Sequence, residues 1–197
     1  MADTEGGVRF DAASRKALLK IASDAVAAAV RDEDYNPPAV EEESLLQKGG
    51  CFVTLKTEGR LRGCLGRFEA DIPICQAVAR MARASAIEDP RFRYEPIGPE
   101  ELSRVHIEIS TLGPRRRIAS WREIRLGVDG VVVRNGLKSG VFLPQVATET
   151  GWTLEIFLQH LCRDKAGLSP DAYKDPATIL EVFDAEVVGS PILLPDD

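Results

Sequence analysis

Turn signals that return the chain on itself constrain the fold of this protein more than any other sequence feature. The stretch CFVTLKTEGRLRGCLGRF, residues 51–68, has the pattern of two strands joined by a turn at Thr57–Gly59. The dipeptide Asn135–Gly136 predicts a second hairpin, because Asn-Gly favours the tight turns that connect antiparallel strands. Strands and helices are mixed without a steady β-α-β alternation. We therefore predict an α+β fold with a largely antiparallel sheet flanked by helices.

Three helices are predicted from apolar residues at helical spacing and from residues that suit helix starts. Asp11 is a cap for a helix that runs to about Val30. Asp71 followed by Pro73 opens a second helix, since proline is accepted at the first helical position. Thr153 is the cap of a third helix, which continues through LEIFLQHL. The proline-containing stretches YNPPAVEEES and EDPRFRYEPIGPEEL are predicted as loops.

The clearest strand of the chain is RVHIEIS, residues 104–110. From residue 105, its odd-numbered residues are apolar and point one way, whereas His106, Glu108 and Ser110 point the other way. A further stretch, TILEVFDAEVV at residues 178–188, is predicted as one final strand.

The chain is predicted to form one domain over residues 10–188 with two lobes. Short strands linked by Asp-Gly and Asn-Gly turns indicate a smaller β-rich lobe at about 115–145. The larger lobe then contains residues 10–114 and 146–188. Within the smaller lobe, the basic triplet Arg115–Arg117 is predicted in a solvated loop.

Composition excludes several classes of protein. No stretch approaches the roughly 18 apolar residues that a membrane span requires. The opening MADTEGGVRFD lacks the basic and apolar regions of a secretory signal, so we expect a cytoplasmic protein without membrane contact. The net charge of −6 disfavours nucleic-acid binding, which needs a basic surface. Residues 51–94 nevertheless carry eight basic against five acidic side chains. This excess either attracts an anionic ligand or forms a solvated, salt-paired face.

The cysteines and histidines show no spacing typical of a metal site. None of the four cysteines forms a C-x-x-C pair, and the chain has only two histidines. A phosphate-binding loop and a dinucleotide fingerprint are also missing. We therefore expect no metal and no cofactor. Cys51, Cys75 and Cys162 are interpreted as buried reduced thiols, and His160 as a surface or satisfied core residue of an amphipathic helix.

The segment GRLRGCLGRFEA, residues 59–70, places glycines where a strand usually avoids them. In one interpretation, Gly63 and Gly66 let another element pack closely or form a bulge at a sheet edge. In the other, they let a ligand approach the main chain, whose amides form an anion-binding concavity. The residues alone leave both interpretations open.

Cys64, between these glycines, is a candidate nucleophile. A thiolate is favoured by nearby cations, and Arg62 has the same parity as Cys64, so the two side chains can share a face of the strand. Arg67 has the opposite parity and reaches that face only if a bulge shifts the register. The competing interpretation is a buried, inert thiol.

A cysteine enzyme usually needs a base, and His106 is the candidate. It lies on the polar side of its strand with Glu108, which would orient the imidazole ring. If this strand lies near that of Cys64, a Cys–His–Glu constellation forms. The alternative is that His106 and Glu108 bind substrate without taking part in the reaction.

The segment EDPRF adds two charged candidates. For Asp89 we expect an Asx turn with a structural salt bridge. Arg91 is predicted to bind a ligand carboxylate or phosphate in a bidentate manner.

Several motifs together resemble the AMMECR family, also described as protein A of the AmmeMemoRadiSam set. The resemblance covers roughly residues 10–188 and depends on motifs that follow in the expected order: LRGCLGRF, ASAIEDPRF, HIEIS, GVDGVVV, FLPQVATETGW and LCRDKAGL. It implies an α+β protein with a larger and a smaller lobe. It defines no reaction, but it implies an enzymatic or regulatory role alongside Memo-like and radical-SAM-like proteins. Because it centres on LRGCLG, it favours the ligand interpretation of the glycines.

These features together predict an enzyme, or the partner of one, that binds a small polar or anionic metabolite. The predicted site is a cleft between the lobes around RGCLG, with Cys64, His106 and Glu108 as catalytic residues. The ligand-binding residues would be Arg62, Gly63, Gly66 and Arg91. The alternatives are a non-catalytic interaction or regulatory module and, third, an RNA-binding accessory protein.

Overall fold

The computed structural model describes residues 10–194. The first nine residues, which carry most of the segment judged not to be a secretory signal, lie outside that range. The described chain divides into two compact units, residues 10–112 with 186–194 and residues 113–185. Residues 146–185 therefore group with the β-rich segment, whereas the sequence placed them in the larger lobe.

Helices and strands alternate irregularly along the chain. In order they are α1 (Ala12–Val30), α2 (Glu43–Leu46), β1 (Gly50–Thr57), β2 (Arg60–Arg67), α3 (Ile74–Ile87), β3 (Val105–Leu112), β4 (Arg116–Ile118), β5 (Gly130–Asn135), β6 (Lys138–Phe142), α4 (Pro144–Thr150), α5 (Leu154–His160), β7 (Ile179–Phe183) and β8 (Ala185–Pro191). The strands form two four-stranded sheets, in the orders β2-β1-β3-β8 and β4-β7-β5-β6. The α+β fold with antiparallel pairing is confirmed.

Local signals set the helix starts as predicted. The Asp11 carboxylate accepts a hydrogen bond from the backbone N–H of Ser14 at 2.8 Å, at the start of α1. This bond lowers the pKa of Asp11, because it favours the charged form. Thr153 Oγ1 accepts from the N–H of Ile156 at the start of α5. Both caps satisfy amides that have no partner inside their helix.

The first hairpin closes through a two-residue turn. Glu58 and Gly59 both have positive φ, at 52° and 79°. Two positive φ values give the tight turn whose twist matches that of paired antiparallel strands. The predicted turn at Thr57–Gly59 is therefore confirmed.

The first sheet has one buried face. Alternate residues of β1 and β3, among them Val53, Leu55, Ile107 and Ile109, are fully buried. They pack in one core with apolar residues of α1 and α3. The other face of these strands carries Thr54, Lys56, His106 and Glu108, which are only partly buried. The face with the polar residues is thus the one that faces away from the helices.

A β-bulge interrupts the β1–β2 ladder. Leu55 pairs with Gly63, but the next residue, Lys56, pairs with Leu61. Arg62 is therefore an extra residue that pairs with no residue of β1. This insertion changes the face on which every later residue of β2 lies.

The second unit has its own core. Buried residues of the second sheet, such as Val131 and Val133, pack with Phe157, Leu158 and Leu161 of α5 and the turn after it. The helix continues into a π-helical turn at Leu161–Lys165. The second predicted hairpin, at Asn135–Gly136, is confirmed by the pairing of β5 with β6.

Two sequence predictions in this region were wrong. The triplet Arg115–Arg117 does not lie wholly in a loop, since β4 begins at Arg116 and pairs with β7. TILEVFDAEVV is not one strand but two, because the chain leaves the second sheet at Asp184 and enters the first as β8. Apolar residues continue on both sides of Asp184, so the sequence pattern does not mark the change of sheet.

The short helices α2 and α4 were not predicted. The α2 helix lies at the end of a polar stretch expected to be a loop, and α4 follows a stretch read as short strands. Short helices carry little periodicity, so sequence patterns detect them poorly. None of the helices in residues 10–194 combines the length and apolar character needed to cross a membrane.

Candidate functional site

The exposed side of the first sheet carries a row of polar and reactive side chains, here named the polar face: Thr54, Lys56, Cys64, His106 and Glu108. Thr54 lies opposite Cys64 on one neighbouring strand and opposite Glu108 on the other. Lys56 lies opposite His106. Residues opposite each other in antiparallel strands share a face, so the register brings all five side chains to the same surface.

Among the four cysteines, Cys64 differs from the others in burial. It is partly exposed, whereas Cys51, Cys75 and Cys162 are buried. Burial raises the pKa of Cys51 to about 12 and raises the pKa of both other buried thiols. The hydroxyl of Thr54 donates to the Cys64 sulfur at 3.1 Å. The interpretation of the other three cysteines as buried thiols is confirmed, and Cys64 is not sealed in the core.

The main chain of Cys64 is held by two charged side chains. Asp89 Oδ2 accepts from the Cys64 N–H at 2.9 Å, and an Arg91 guanidinium nitrogen donates to the Cys64 carbonyl at 3.1 Å. β2 is an edge strand, so these groups satisfy backbone atoms that have no neighbouring strand on that side. Asp89 and Arg91 therefore fix the position of the thiol.

Asp89 also closes the loop it belongs to. Its Oδ1 accepts from the N–H of Arg91 at 3.1 Å, and its Oδ2 forms an ion pair with the Arg91 guanidinium at 2.6 Å. The expected Asx turn and salt bridge are confirmed. The hydrogen bond from Arg91, together with that from the Cys64 amide, lowers the pKa of Asp89 to about 2 although the carboxylate is buried.

Arg91 binds a carboxylate in the bidentate manner predicted, but the carboxylate belongs to the protein. Its Nε and a terminal nitrogen reach the two Asp89 oxygens at 3.0 and 2.6 Å. The side chain remains about half exposed, at 53%. Its first function in this structure is thus to neutralise Asp89, and a ligand would meet only its exposed edge.

Arg62 does not share the face of Cys64. Because it is the extra residue of the bulge, its side chain turns away and is buried against Glu101, with Nε–Oε1 at 2.7 Å. The guanidinium also donates to the carbonyl oxygens of Glu95 and Pro96, at 3.0 and 3.2 Å. With these donors in use, Arg62 stabilises the fold, and the expectation that it shares a face with Cys64 is wrong.

The glycines of LRGCLG accommodate neighbouring groups of the protein. A Cβ at Gly63 would overlap the carbonyl oxygen of Ser85 in α3, and a Cβ at Gly66 would overlap the ring of Phe52. The Ser85 hydroxyl accepts from the N–H of Leu65 and donates to the carbonyl of Val53, at 2.9 and 2.8 Å. Close packing by α3 and Phe52 therefore explains both glycines without a ligand.

The amides near the thiol do not form the expected anion-binding concavity. The Cys64 N–H is bound to Asp89, and the Leu65 N–H is bound to Ser85. Both donors are used inside the protein, so the ligand-binding assignment of Gly63 and Gly66 has no support in the geometry. The structural interpretation that the sequence left open is the one observed.

The predicted Cys–His–Glu arrangement is only partly assembled. Glu108 lies in the row of Cys64, but β1 separates the two strands, which places their axes about 10 Å apart. Glu108 accepts two hydrogen bonds from Lys56 Nζ, both at 2.9 Å, and so does not orient His106. His106 lies one row further along, next to Gly189, where an added Cβ would approach its Nε2 to 3.1 Å. The three residues share a surface without direct contact.

Sequence analysis missed Thr54 and Lys56, which contact the predicted residues directly. Both residues alternate with buried residues of β1, so the sequence does predict that they lie on the polar face of the strand. The pairing of Thr54 with Cys64 was not predictable, because the bulge at Arg62 sets the β1–β2 register. The contact of Lys56 with Glu108 depends on the pairing of β1 with β3. No group of three or more His, Cys, Asp and Glu side chains within residues 10–194 is placed to hold a metal ion.

The second histidine belongs to a separate cluster in the second unit. The His160 ring stacks on Trp152, with centroids 4.0 Å apart, and its Nδ1 lies 2.6 Å from Asp164 Oδ2. Arg163 binds the same carboxylate group, at 2.6 Å from Oδ1. This cluster satisfies the imidazole at the helix surface, as the sequence led us to expect.

The fold and the site define a class: an α+β protein with two antiparallel sheets, one of which presents a partly exposed thiol on its polar face. The AMMECR1 family matches residues 19–188, and the chain belongs to this family. The resemblance noted in the motifs is thereby confirmed.

Relatives cover nearly the same length. A protein from Methanothermobacter thermautotrophicus is 40% identical over 179 residues, which is 87% of this chain and 92% of its own. A protein from Nanoarchaeum equitans is 37% identical over 86% of this chain and 97% of its own. The crystal structure of an uncharacterized protein, PH0010 from Pyrococcus horikoshii, superposes with a TM-score of 0.80 at 35% identity, over 89% of this chain and 90% of that one.

Proposed function

We propose that the polar face binds a small polar or anionic metabolite and that the thiol of Cys64 is its reactive group. One observation carries the proposal. Of the four cysteines, Cys64 alone is not buried, and it shares a surface with Lys56, His106 and Glu108. Side chains of these types supply a nucleophile, a cation and proton-transfer groups.

The charges around the thiol support an anionic ligand. The Arg91 guanidinium lies against the Cys64 carbonyl and is half exposed. The Lys56 ammonium, in the next row, is paired with Glu108 but still 30% exposed. A carboxylate or phosphate over Cys64 would meet both cations.

The hydroxyl of Thr54 supports a reactive role for the sulfur. A donor that faces sulfur stabilises the negative charge of a thiolate. In this proposal Asp89 is a positioning residue, because it holds the main chain of Cys64 rather than the ligand. Arg91 holds the same main chain and offers its exposed edge to the ligand. His106 and Glu108, which lie across β1 from the thiol, are ligand contacts.

Alkylation of the native protein tests the proposal. Iodoacetamide should modify Cys64 and leave the buried Cys51, Cys75 and Cys162 intact until denaturant is added, as read by peptide mass spectrometry. Rates measured across pH give the apparent pKa of the thiol, with glutathione as the reference thiol. Cys64→Ser should abolish native labelling, and Cys75→Ser is the matched control. A Cys64 that reacts no faster than glutathione would remove the catalytic part of the proposal.

A non-catalytic interaction or regulatory module is the second candidate. The packing of Gly63 and Gly66 favours it, since LRGCLG then serves to seat α3 and Phe52 against the strand. A Cys64→Ser protein that keeps every measurable function would support this candidate over the first. For either candidate, Memo-like and radical-SAM-like proteins are the proposed partners, on the resemblance to the AMMECR family alone.

A further inference from the structure

A cavity lies on the outer side of α3. It has a volume of about 370 Å³ and is lined by Tyr35, Asn36 and Pro37 of the loop after α1 and by Gln76, Ala79, Arg80 and Arg83 of α3. Small-molecule sites usually measure roughly 300–1,000 Å³. The inner side of α3 packs in the core with the buried face of the first sheet, whereas Cys64 lies on the opposite, polar face. The cavity is therefore separate from the Cys64 site.

Three side chains that donate hydrogen bonds line the same cavity. Gln76, Arg80 and Arg83 are spaced four and three residues apart, so they lie along one face of the helix. Throughout the described chain, neither guanidinium takes part in an ion pair or a hydrogen bond. Two arginines side by side without a carboxylate repel each other, and a bound anion would remove that repulsion.

The apolar wall of the cavity is the second observation, and the ring of Tyr35 is part of it. The Tyr35 hydroxyl is buried and has no hydrogen-bond partner within residues 10–194. Because this oxygen is closed to solvent, it does not open into the cavity, and Tyr35 contributes its ring to the wall. Burial, and to a smaller extent the nearby Asp24, raises the pKa of Tyr35 to about 12, so the hydroxyl is a donor at neutral pH. Asp24 itself is paired with Lys20, which offsets its charge.

We propose that this cavity binds a small organic anion, a carboxylate or phosphate group carried on a compact apolar body. The anionic group would accept from Arg80 and Arg83. The apolar body would lie against Ala79, Pro37 and the ring of Tyr35. This combination of a few convergent donors with an apolar wall is typical of small-molecule sites.

Calorimetric titration with benzoate and phenyl phosphate tests the proposal, with benzyl alcohol as the neutral probe of similar shape. We expect at least one of the two anions to bind roughly tenfold more tightly than benzyl alcohol. The stronger anion identifies the group as carboxylate or phosphate. If neither anion binds more tightly than benzyl alcohol, the proposal is overturned.

Single substitutions test whether the anion binds in this cavity. Arg80→Gln and Arg83→Gln should each weaken the anion about tenfold, whereas Arg134→Gln, an exposed arginine of the other unit, should not. Tyr35→Phe should leave the affinity for the anion unchanged and raise the melting temperature of the ligand-free protein, because it removes a buried hydroxyl that does not open into the cavity. Cys64→Ser should leave the affinity unchanged. Equal losses in Arg80→Gln and Arg134→Gln would show nonspecific charge binding and contradict the proposal.

Discussion

Cys64 lies directly opposite Thr54 in the β1–β2 pair, and the Thr54 hydroxyl donates to its sulfur at 3.1 Å. If the residues of β1 and β2 paired one to one from the turn onwards, without the bulge, Cys64 would lie opposite Val53. The Val53 side chain is fully buried. The extra residue Arg62 moves the register by one, and a shift of one exchanges the faces of a strand. One bulge thus turns the thiol from the core to the polar face.

The contact between Thr54 and Cys64 predicts a change in thiol reactivity. Thr54→Val keeps the shape of the side chain but removes the hydroxyl that donates to sulfur. We expect the alkylation rate of Cys64 at neutral pH to fall by roughly three- to tenfold, since the thiolate loses a donor. Thr148→Val, an exposed threonine of the other unit, is the control. An unchanged rate in Thr54→Val would mean that the contact does not influence the sulfur.

The buried pair of Arg62 with Glu101 predicts a large effect on stability. Their side chains are only 9% and 14% exposed, and Arg62 donates to both oxygens of Glu101. Arg62→Met should lower the free energy of unfolding by about 3 kcal/mol, because it leaves Glu101 buried without its partner. Urea denaturation measures the loss.

Two further variants test the origin of that loss. Replacing both partners, as Arg62→Met with Glu101→Leu, should cost less than the single change, because no unpaired charge remains. Arg104→Met, which breaks an exposed pair with Glu58, should cost less than about 1 kcal/mol. A loss in Arg62→Met no greater than that in Arg104→Met would contradict the structural role assigned to Arg62.

The close approach of α3 to Gly63 predicts that this position tolerates no side chain. In Gly63→Ala, the new methyl group would overlap the Ser85 carbonyl oxygen, so the helix must move away from the strand. We expect a loss of about 3 kcal/mol in the free energy of unfolding. Gly49→Ala is the matched control, since its methyl would meet the end of the flexible Ile74 side chain at 3.1 Å. Equal stability of the two variants would show that α3 does not require the glycine.

Asp89 predicts a loss of stability in acid. Its pKa is lowered from 3.8 to about 2 in the folded protein, so the folded state favours the ionised form. The resulting stability is present in full above pH 4 and is lost as the pH falls towards 2. The lowering of the Asp89 pKa corresponds to about 2 kcal/mol in the free energy of unfolding.

Comparison with Asp89→Asn isolates this contribution. The variant should be less stable than the parent protein at neutral pH, and the difference should shrink as the pH falls from 4 to 2. Unfolding measured at several pH values checks both statements. A constant difference across that range would show that ionisation of Asp89 does not stabilise the fold.

Much of the fold was predictable because its signals are local. Asp11 and Thr153 cap their helices as expected, and both predicted hairpins are present. Such signals act within a few residues, through main-chain sterics and short hydrogen bonds. The division of TILEVFDAEVV between two sheets was not predictable, because apolar residues continue on both sides of Asp184 and the two strands pair with distant parts of the chain.

The candidate site was predicted in its residue types but not in its contacts. Cys64, His106 and Glu108 do lie on one face of one sheet. The residues that touch them were missed or misplaced: Thr54 and Lys56 were overlooked, and Arg62 was expected at the thiol. The errors at Thr54 and Arg62 follow from the bulge, where the buried Arg62 pairs with Glu101, 39 residues away in sequence. The contact of Lys56 with Glu108 depends instead on the pairing of β1 with β3.

The amino-acid sequence by itself determined the family, the α+β class, the helix caps, the hairpin turns and the alternation that separates apolar from polar sides of the strands. Tertiary structure alone decided which groups meet: Ser85 against Gly63, Asp89 against the Cys64 amide and Glu101 against Arg62. The physical reason is the separation along the chain between the interacting residues. Turns and caps are stabilised by neighbours along the chain, whereas the position and surroundings of the thiol depend on helices and loops that return to β2 from 20 or more residues away.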